Sequence, residues 1–477
     1  MKKILAMLLA ISMFAALVGC GSNANNASNG GNNSTNQTGD SEESQGPKTP
    51  EEMTAEDWEN LKTETRELTI EYQPNAFTEE VWNILVEGFK EDHPNWTVEL
   101  NLTMESADNA QAQILAGTPP VFFQPSLNFT ANQAMEAGVL LSMEPVLDSP
   151  AYDEPGMTVR ETLMPGFDKL SMKDGKSYLV PYRFGGNGIW YNAKMFRENG
   201  WEVPETYDDF MTLCEEIKSA GITPIMFTGT YAPYIYNMFL YPRICALDEG
   251  YQTSVDLANL VDGEWSGPNV KQALEEVNDM MAKGYLPEEG LGTDYLLAQQ
   301  MFFEGKSAMV FCGTWLESEM KDSIPEGFEF EFMAPPVLEN EDDRRLITAF
   351  ASGIALCAGS GKEIEAMELT RYILSNKFMK DYAEKSGEPV ITQVTADLDT
   401  SKFSQAGLSI YNAFNKPNTD IIGTDVMAWY PELYTNFTNG IIGTMVGNET
   451  IDNLLKTTEE AVQAIKADDS IVKYVLE

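Results

Sequence analysis

Residues 178–196 read YLVPYRFGGNGIWYNAKMF. The stretch begins as an apolar run that contains Pro181 and ends as a β-prone run. Because proline lacks a backbone N–H, we expect that a central strand does not continue through Pro181. Gly185, Gly186 and Gly188 separate the two runs and allow a ligand to come close to the backbone. We interpret the stretch as a strand leaving one domain, a hinge-like crossover, and a strand entering a second domain. A β-hairpin inside one domain is the alternative.

The segment that follows predicts a strand–helix–strand unit. Thr206 and Asp209 have the spacing of a capping box, and apolar residues then recur at helical spacing as far as Ile217. Gly221 ends this helix, and residues 222–227 predict a strand. A strand, a helix and a strand in this order are typical of a parallel sheet.

A second such unit is predicted near the start of the folded region. Residues 67–72 and 96–102 alternate as strands, and a helix with one apolar face lies between them. Ligands of open α/β sheets bind beyond the carboxyl ends of the strands. The loop 73–77, which contains Gln73 and Asn75, is therefore either a binding loop or an ordinary turn.

Aromatic residues follow several predicted strands. A flat ring matches the apolar C–H face of a sugar, while amide, carboxylate and guanidinium side chains satisfy the hydroxyls at its edge. Trp190 lies within a strand, where a core position is an equal alternative. The aromatic candidates are Phe184, Trp190, Tyr231, Tyr234, Trp315, Trp429 and Tyr430.

The chain resembles the family 1 extracellular solute-binding proteins, which are the sugar receptors of bacterial ABC importers. The resemblance lies in the mid-chain VPY…GIWYNAKMFRENGWEVPETYDDFMTLCEEIKSAGITPI, in FFEGKSAMVFCGTW at 302–315, and in APPV at 334–337. It extends from about residue 66 to the end. It implies the α/β periplasmic-binding-protein type 2 fold, in which a hinge joins two α/β lobes with a ligand cleft between them.

The resemblance also implies site residues. In the family, the loop at 124–128 makes polar contacts with sugar, and the positions of Tyr234, Trp315 and Trp429-Tyr430 stack on it. This chain carries Asn75 where relatives offer a charged residue and Gln124 where they offer an aromatic one, which implies a different sugar or chain length. The predicted ligand-binding residues are Gln73, Asn75, Gln124, Ser126, Asn128, Arg183, Phe184, Tyr231, Tyr234, Trp315, Trp429 and Tyr430.

The N-terminus has the features of a secreted lipoprotein. Lys2-Lys3, a short apolar run and Leu17-Val18-Gly19-Cys20 resemble a signal peptide with a lipobox, which implies lipidation of Cys20. A plain signal peptide is the alternative. Residues 21–49 consist almost wholly of Asn, Ser, Gly, Thr and Gln, which predicts a flexible tether. We therefore expect a protein anchored by lipid to the cell membrane and facing outside the cytoplasm.

The expected domain organisation follows from these elements. We predict a signal peptide at 1–20, a tether at 21–64, an N-terminal lobe at 65–182 plus 350–387, and a C-terminal lobe at 183–349 plus 388–477. The chain is expected to cross between lobes near 180–186, 345–352 and 386–392.

The charge and the cysteines narrow the range of functions. The net charge of −43, from 31 basic and 74 acidic residues, argues against nucleic acid or anionic lipid as a direct partner. A solubility and surface-charge adaptation of an extracellular protein is the favoured explanation of this charge. Cys214, Cys245, Cys312 and Cys357 show no CxxC spacing and are expected to be unpaired buried thiols, although an even number permits disulfides.

Catalytic motifs are missing from the sequence. His93 is the one histidine and is expected in a surface turn at a helix end, and there is no phosphate-binding loop, nucleophile elbow or zinc motif. We therefore predict a monomeric binding protein without cofactor or metal, whose partners are a carbohydrate and the permease subunits of an ABC transporter. The alternatives are a secreted carbohydrate-active enzyme and a receptor for a charged or phosphorylated solute. The receptor alternative needs paired cations, and only Arg183 is well placed.

Overall fold

The protein is a mixed α/β structure. The computed structural model describes residues 48–72, 78–123, 131–163, 172–173, 175–340, 342–386, 390, 392, 398–423, 429–469, 471 and 473. The predictions for the signal peptide, Cys20 and residues 21–47 lie outside these described residues. The strands are β1 (Arg66–Tyr72), β2 (Trp96–Leu102), β3 (Phe122–Phe123), β4 (Met172–Lys173), β5 (Lys176–Ser177), β6 (Val180–Asn192), β7 (Thr223–Met226), β8 (Ser307–Gly313), β9 (Phe330–Met333), β10 (Arg345–Leu356) and β11 (Thr419–Gly423).

The chain also forms helices. They are α1 (Ala55–Leu61), α2 (Thr78–Asp92), α3 (Ser106–Leu115), α4 (Ala131–Glu136), α5 (Glu144–Leu147), α6 (Val159–Thr162), α7 (Ala193–Asn199), α8 (Tyr207–Ser219), α9 (Pro233–Ile235), α10 (Tyr241–Ala246), α11 (Tyr251–Ala258), α12 (Pro268–Ala282), α13 (Tyr295–Phe303), α14 (Leu316–Met320), α15 (Glu363–Ile373), α16 (Asn376–Ser386), α17 (Gln405–Phe414), α18 (Pro431–Met445) and α19 (Ile451–Ala467). A π-helical turn, Tyr236–Leu240, connects α9 and α10. The predicted helix start at Thr206 is confirmed, because its hydroxyl accepts from the Asp209 backbone N–H at 3.2 Å.

The predicted crossover is one continuous strand. β6 lies at the centre of a mixed sheet with the strand order β11-β10-β6-β8-β7. Its first half pairs antiparallel with β10, and its second half pairs with β8 and β9. These partners are distant in sequence, so the stretch is not a hairpin. The two segments predicted to cross near 180–186 and 345–352 therefore lie side by side.

The expectation that Pro181 interrupts a central strand is wrong. β6 continues through Pro181, and the register with β10 shifts at this point. Arg183 lies opposite Ser352 and Pro181 lies opposite Gly353, so one residue of β6 has no counterpart. Such a bulge locally disrupts the ladder, which lets the strand accommodate a residue without a backbone donor.

Two glycines of β6, Gly186 and Gly188, make room for neighbouring side chains. A Cβ at Gly186 would lie 2.1 Å from the ring of Phe414, and one at Gly188 would lie 2.4 Å from the ring of Phe332. The expected close approach of a ligand at these two glycines is therefore wrong in this structure. Their hydrogens make room for aromatic side chains of α17 and β9, which lie against the crossing strand.

The predicted βαβ unit near residue 66 is confirmed. β1 and β2 pair parallel from Arg66↔Trp96 to Tyr72↔Leu102, with α2 between them in sequence. β3 joins β10 through Phe123↔Ala355, which links the 121–123 segment to the other end of the long strand. Of the third predicted crossing, Thr392 forms an isolated bridge with Leu163, and residues 387–389 and 391 lie outside the described residues. The proposed lobe boundaries stay predictions.

Trp190 and the four described cysteines lie in the core. Trp190 is fully buried, and its indole N–H donates to the Gly313 carbonyl oxygen at 2.7 Å. The four cysteines are buried free thiols, as expected. Burial raises the pKa of the Cys357 thiol to about 12, so the neutral thiol is the stable form.

The expectation that His93 lies in a surface turn is wrong. His93 is fully buried, and its ring stacks on Phe89 with the centroids 3.9 Å apart. Its Nε2 lies 3.1 Å from the Oε1 of Glu368. The histidine is therefore part of a buried polar cluster in the core.

Candidate functional site

Three of the predicted aromatic residues lie together beyond two neighbouring strands. β7 and β8 are parallel, so their carboxyl ends meet at one edge of the sheet. Tyr231 and Tyr234 follow β7, and Trp315 follows β8 at two residues' distance. This edge is where an open α/β sheet is expected to bind ligands.

The rings form a connected group that we call the ring wall, defined as Tyr231, Tyr234, Tyr295 and Trp315. The centroids of Tyr234 and Trp315 are 5.9 Å apart, with the planes nearly perpendicular. Tyr234 lies 6.0 Å from Tyr295 and 5.7 Å from Tyr231. These distances are within the range of favourable aromatic pairs. Tyr295, which begins α13, was missed by the sequence analysis because no predicted strand precedes it.

Trp315 is positioned by its contacts with Tyr234 and Gly313. Its indole N–H donates to the Tyr234 hydroxyl at 3.3 Å. A Cβ at Gly313 would lie only 1.9 Å from the indole, so the Gly-Thr-Trp sequence needs its glycine for the ring to fold back. Burial raises the pKa of the Tyr234 hydroxyl well above its usual range, so this hydroxyl keeps its proton.

The Gly-Thr-Trp segment is also attached to the crossing strand. The Thr314 backbone N–H donates to the Gly186 carbonyl oxygen at 2.9 Å, and the Gly186 N–H donates to the Thr314 hydroxyl at 3.2 Å. Gly186 lies opposite Ala349 of β10. The base of the ring wall is therefore joined to the place where the two long strands run side by side.

Hydrogen bonds fix the segments that carry the two outer tyrosines. The Thr228 and Thr230 hydroxyls donate to the Thr293 carbonyl oxygen at 2.9 Å and 3.2 Å. The Gly229 N–H donates to the Gly290 carbonyl oxygen at 2.8 Å. Asp294 caps α13 by accepting from the Leu297 N–H. Tyr231 and Tyr295 thus lie on segments that hold each other in place.

An amide side chain that the sequence analysis missed lies close to the ring wall in sequence. Asn237 belongs to the π-helical turn Tyr236–Leu240, three residues after Tyr234. Its amide N–H donates to the Tyr434 hydroxyl at 2.9 Å, and its Oδ1 has no hydrogen-bond partner among the described residues. Single π-turns within helices are frequent at functional sites, but no sequence pattern identified this one.

The other predicted ligand-binding residues are not members of the ring wall. Trp429 is half-buried and packs against the main core and against a smaller cluster that includes Phe123 and Leu140. Tyr430 is only 3% exposed, which leaves little of its ring open to a ligand in this conformation. Arg183 and Phe184 lie on β6 opposite Ser352 and Ala351. Gln73, Asn75, Gln124, Ser126 and Asn128 lie outside the described residues.

Comparison with known proteins identifies the family. Residues 85–407 match the profile of the bacterial extracellular solute-binding proteins. The chain belongs to this family. The resemblance expected from the sequence is therefore confirmed, and the family is one of binding proteins whose members work outside the cytoplasm. Among the described helices of this solute-binding protein, none is long and apolar enough to cross a membrane.

Individual relatives agree with this assignment. The solute-binding protein is 24% identical over 333 residues to the diacetylchitobiose binding protein NgcE of Streptomyces coelicolor, which covers 66% of this chain and 69% of that protein. It is 25% identical over 317 residues to the multiple sugar-binding protein of Streptococcus mutans, covering 64% of this chain and 70% of that protein.

Solved structures confirm the expected two-lobed α/β fold. A chitin oligosaccharide binding protein has a TM-score of 0.65 at 19% identity, covering 85% of this chain and all of that chain. RafE in complex with raffinose has a TM-score of 0.60 at 17% identity, covering 84% of this chain and all of that chain.

A cavity of about 400 Å³ lies elsewhere on this solute-binding protein. Its walls come from residues 203–205, β9, the start of β10 and α17. Glu205 forms ion pairs with both Arg345 and Lys416 at its edge. The cavity contains none of the predicted ligand-binding residues, so the ring wall is the better candidate for the site.

No metal site competes with the ring wall in the part of the chain that the structure describes. That part contains no group of three or more His, Cys, Asp or Glu side chains placed to hold an ion. The arrangement of rings and neutral hydroxyls suits the binding of a neutral, hydroxyl-rich molecule.

Proposed function

We propose that this protein captures a sugar or oligosaccharide between two lobes and delivers it to the permease of an ABC transporter. The observation that carries the proposal is the ring wall at the carboxyl ends of β7 and β8. Flat rings cover the C–H faces of sugars, and the Tyr234 hydroxyl offers a polar group at the inner end. The names of the relatives, which are sugar-binding proteins, support the same ligand class.

The proposed mechanism is hinge closure. A sugar that contacts both lobes binds the closed form more tightly than the open form, so it shifts the population toward closure. The attachment of Thr314 to Gly186 supports this mechanism, because it couples the base of the ring wall to the strand that crosses between the proposed lobes. The permease then recognises the closed shape.

We infer that the protein binds its ligand without turning it over and acts as a monomer. The ring wall supplies contact surface, and its tyrosines and tryptophan are poor acids and bases at neutral pH. A charged or phosphorylated solute would need cations at this edge of the sheet. The members of the ring wall are neutral, so an uncharged solute fits better.

The experiment is a thermal-shift screen of monosaccharides and oligosaccharides that includes diacetylchitobiose and raffinose, followed by calorimetry. At least one sugar should raise the Tm of the wild-type protein. Trp315→Ala should weaken binding of that sugar by about tenfold or more, since it removes a ring from the wall. Trp201→Ala removes another half-buried tryptophan, outside the ring wall, and should leave affinity unchanged. If inorganic phosphate or another anion raises the Tm and every sugar fails, the sugar proposal is wrong.

We also propose that a lipid on Cys20 and a tether hold the body near the outer face of the membrane. The predicted tether of residues 21–64 is too long, because Ala55–Leu61 form α1 and bury Trp58 and Leu61 in the core. The composition supports a tether over residues 21–49. Lipidation anchors firmly only when more than one acyl chain is attached, and the lipobox resemblance implies several. Mass spectrometry of the protein from its membrane fraction should show an N-terminal acylated Cys20. An unmodified cysteine, or a chain that begins elsewhere, would remove the anchor.

A further inference from the structure

We propose that the ligand spans at least two sugar rings and that Tyr295 forms the outer part of the binding surface. This inference rests on the proposed function and narrows its ligand class. Tyr295 is the first residue of α13 and is 38% exposed. Its ring lies 6.0 Å from that of Tyr234, with the two planes 27° apart, so it continues the inner rings outward.

The exposed fraction of the residue increases from the inner rings, Tyr234 and Trp315, to the outer rings, Tyr295 and Tyr231. Tyr234 is 9% exposed and Trp315 is half-buried, whereas Tyr231 is 48% exposed. One aromatic ring covers the face of about one sugar ring. A monosaccharide held at Trp315 and Tyr234 would leave the two outer tyrosines uncovered. A longer ligand would extend from the inner rings to the exposed ones.

Hydrogen bonds fix the segments that carry the outer rings, Tyr231 and Tyr295. Their segments are joined through the Thr293 carbonyl oxygen, which accepts from both threonine hydroxyls of the Tyr231 loop. The Asp294 cap fixes the first turn of α13. Because these segments lose little backbone freedom on binding, their rings contribute more of their contact energy to affinity.

The surface beside Tyr295 is apolar as well. Leu296 and Leu297 follow it and are 47% and 45% exposed. An apolar surface of this kind can contact either a ligand or a protein partner. The direct contact of Tyr295 with the buried ring of Tyr234 favours a ligand that enters the cleft over a protein that only touches its outside.

Calorimetry with sugars of one, two and three rings tests the inference. The probes are N-acetylglucosamine, diacetylchitobiose and triacetylchitotriose, with glucose, maltose and maltotriose as a second series. Wild type should bind two- or three-ring sugars of one series more tightly than its monosaccharide. Tyr295→Ala should weaken the longer sugars by about three- to tenfold and leave the monosaccharide unchanged. Tyr295→Phe, which keeps the ring, should behave as wild type.

Tyr251→Ala is the matched control, because Tyr251 is also an exposed tyrosine at the first position of a helix. It should change no affinity. Equal weakening of the one-ring and longer sugars by Tyr295→Ala would overturn the inference, as would no weakening at all. Unchanged sugar affinity with reduced stimulation of the permease ATPase would assign this surface to the permease instead.

The outcomes separate this inference from the proposed function. If wild type binds no sugar of either series or of the thermal screen, the proposed function fails. If wild type binds monosaccharides as tightly as their longer forms, only the inference about Tyr295 and ligand length fails. Circular dichroism of each variant shows whether the fold is retained.

Discussion

Glu368 holds two basic side chains inside the protein. Its Oε1 lies 3.1 Å from the Nε2 of His93, and its Oε2 accepts from the Nη1 of Arg371 at 2.5 Å. All three side chains are fully buried. Arg371 also donates to the Pro150 carbonyl oxygen, and its guanidinium lies 4.8 Å from the ring of Trp58. One carboxylate therefore connects α15 with α2 and, through Arg371, with α1.

Removing this carboxylate should strongly destabilise the fold. Glu368→Ala leaves the Arg371 charge buried without its partner, and breaking a buried pair in this way costs about 3–5 kcal/mol. We expect a decrease of that size in the free energy of unfolding measured by urea denaturation. Glu67→Ala is the control, since Glu67 is 80% exposed and pairs with Lys362 at 3.5 Å. It should cost at most about 1 kcal/mol. Equal effects of the two substitutions would contradict the structural role of Glu368.

The position of His93 shows a limit of local sequence patterns. The Asp-His-Pro-Asn sequence at the end of α2 is typical of an exposed turn. Its partner Glu368 lies 275 residues later. A window of neighbouring residues contains no information about such a partner. The prediction failed because the deciding contact is long-range.

Among the secondary-structure elements, those with strong local periodicity were predictable. β1, α2 and β2 were expected from alternation and helical spacing, and the structure has all three. The short elements β9, α17 and β11 were not expected. β9 and β11 are strands of only four and five residues. They are held by pairing with β6 and β10, which no local pattern indicates.

The interpretation of β6 as a strand that crosses between two lobes stays a prediction. The structure shows that β6 runs antiparallel beside β10. Gly186 and Gly188, however, face the rings of Phe414 and Phe332, which lie on elements that the sequence analysis missed. A glycine shows that space is needed beside the backbone. It does not show whether a ligand or another part of the protein fills that space.

The candidate site was predictable where it follows strands. Tyr231, Tyr234 and Trp315 were selected because they lie just beyond predicted strands, and the structure brings them together. Tyr295 follows a loop and begins a helix, so the same rule did not select it. Its sequence signal was the Asp294 cap, which places the next residue at an exposed first turn. Such a cap identifies a helix start and carries no information about ligands.

For the whole molecule, hinge closure predicts a smaller radius of gyration when sugar is bound. The sugar stabilises the closed form only by its greater affinity for that form, so compaction should follow the binding curve. Small-angle scattering of the protein should show the radius of gyration decreasing with sugar concentration. Trp315→Ala, at a sugar concentration that saturates wild type, should show a smaller decrease. Binding by calorimetry without any compaction would mean that ligand is held by one lobe, and the coupling of Thr314 to Gly186 would then serve stability alone.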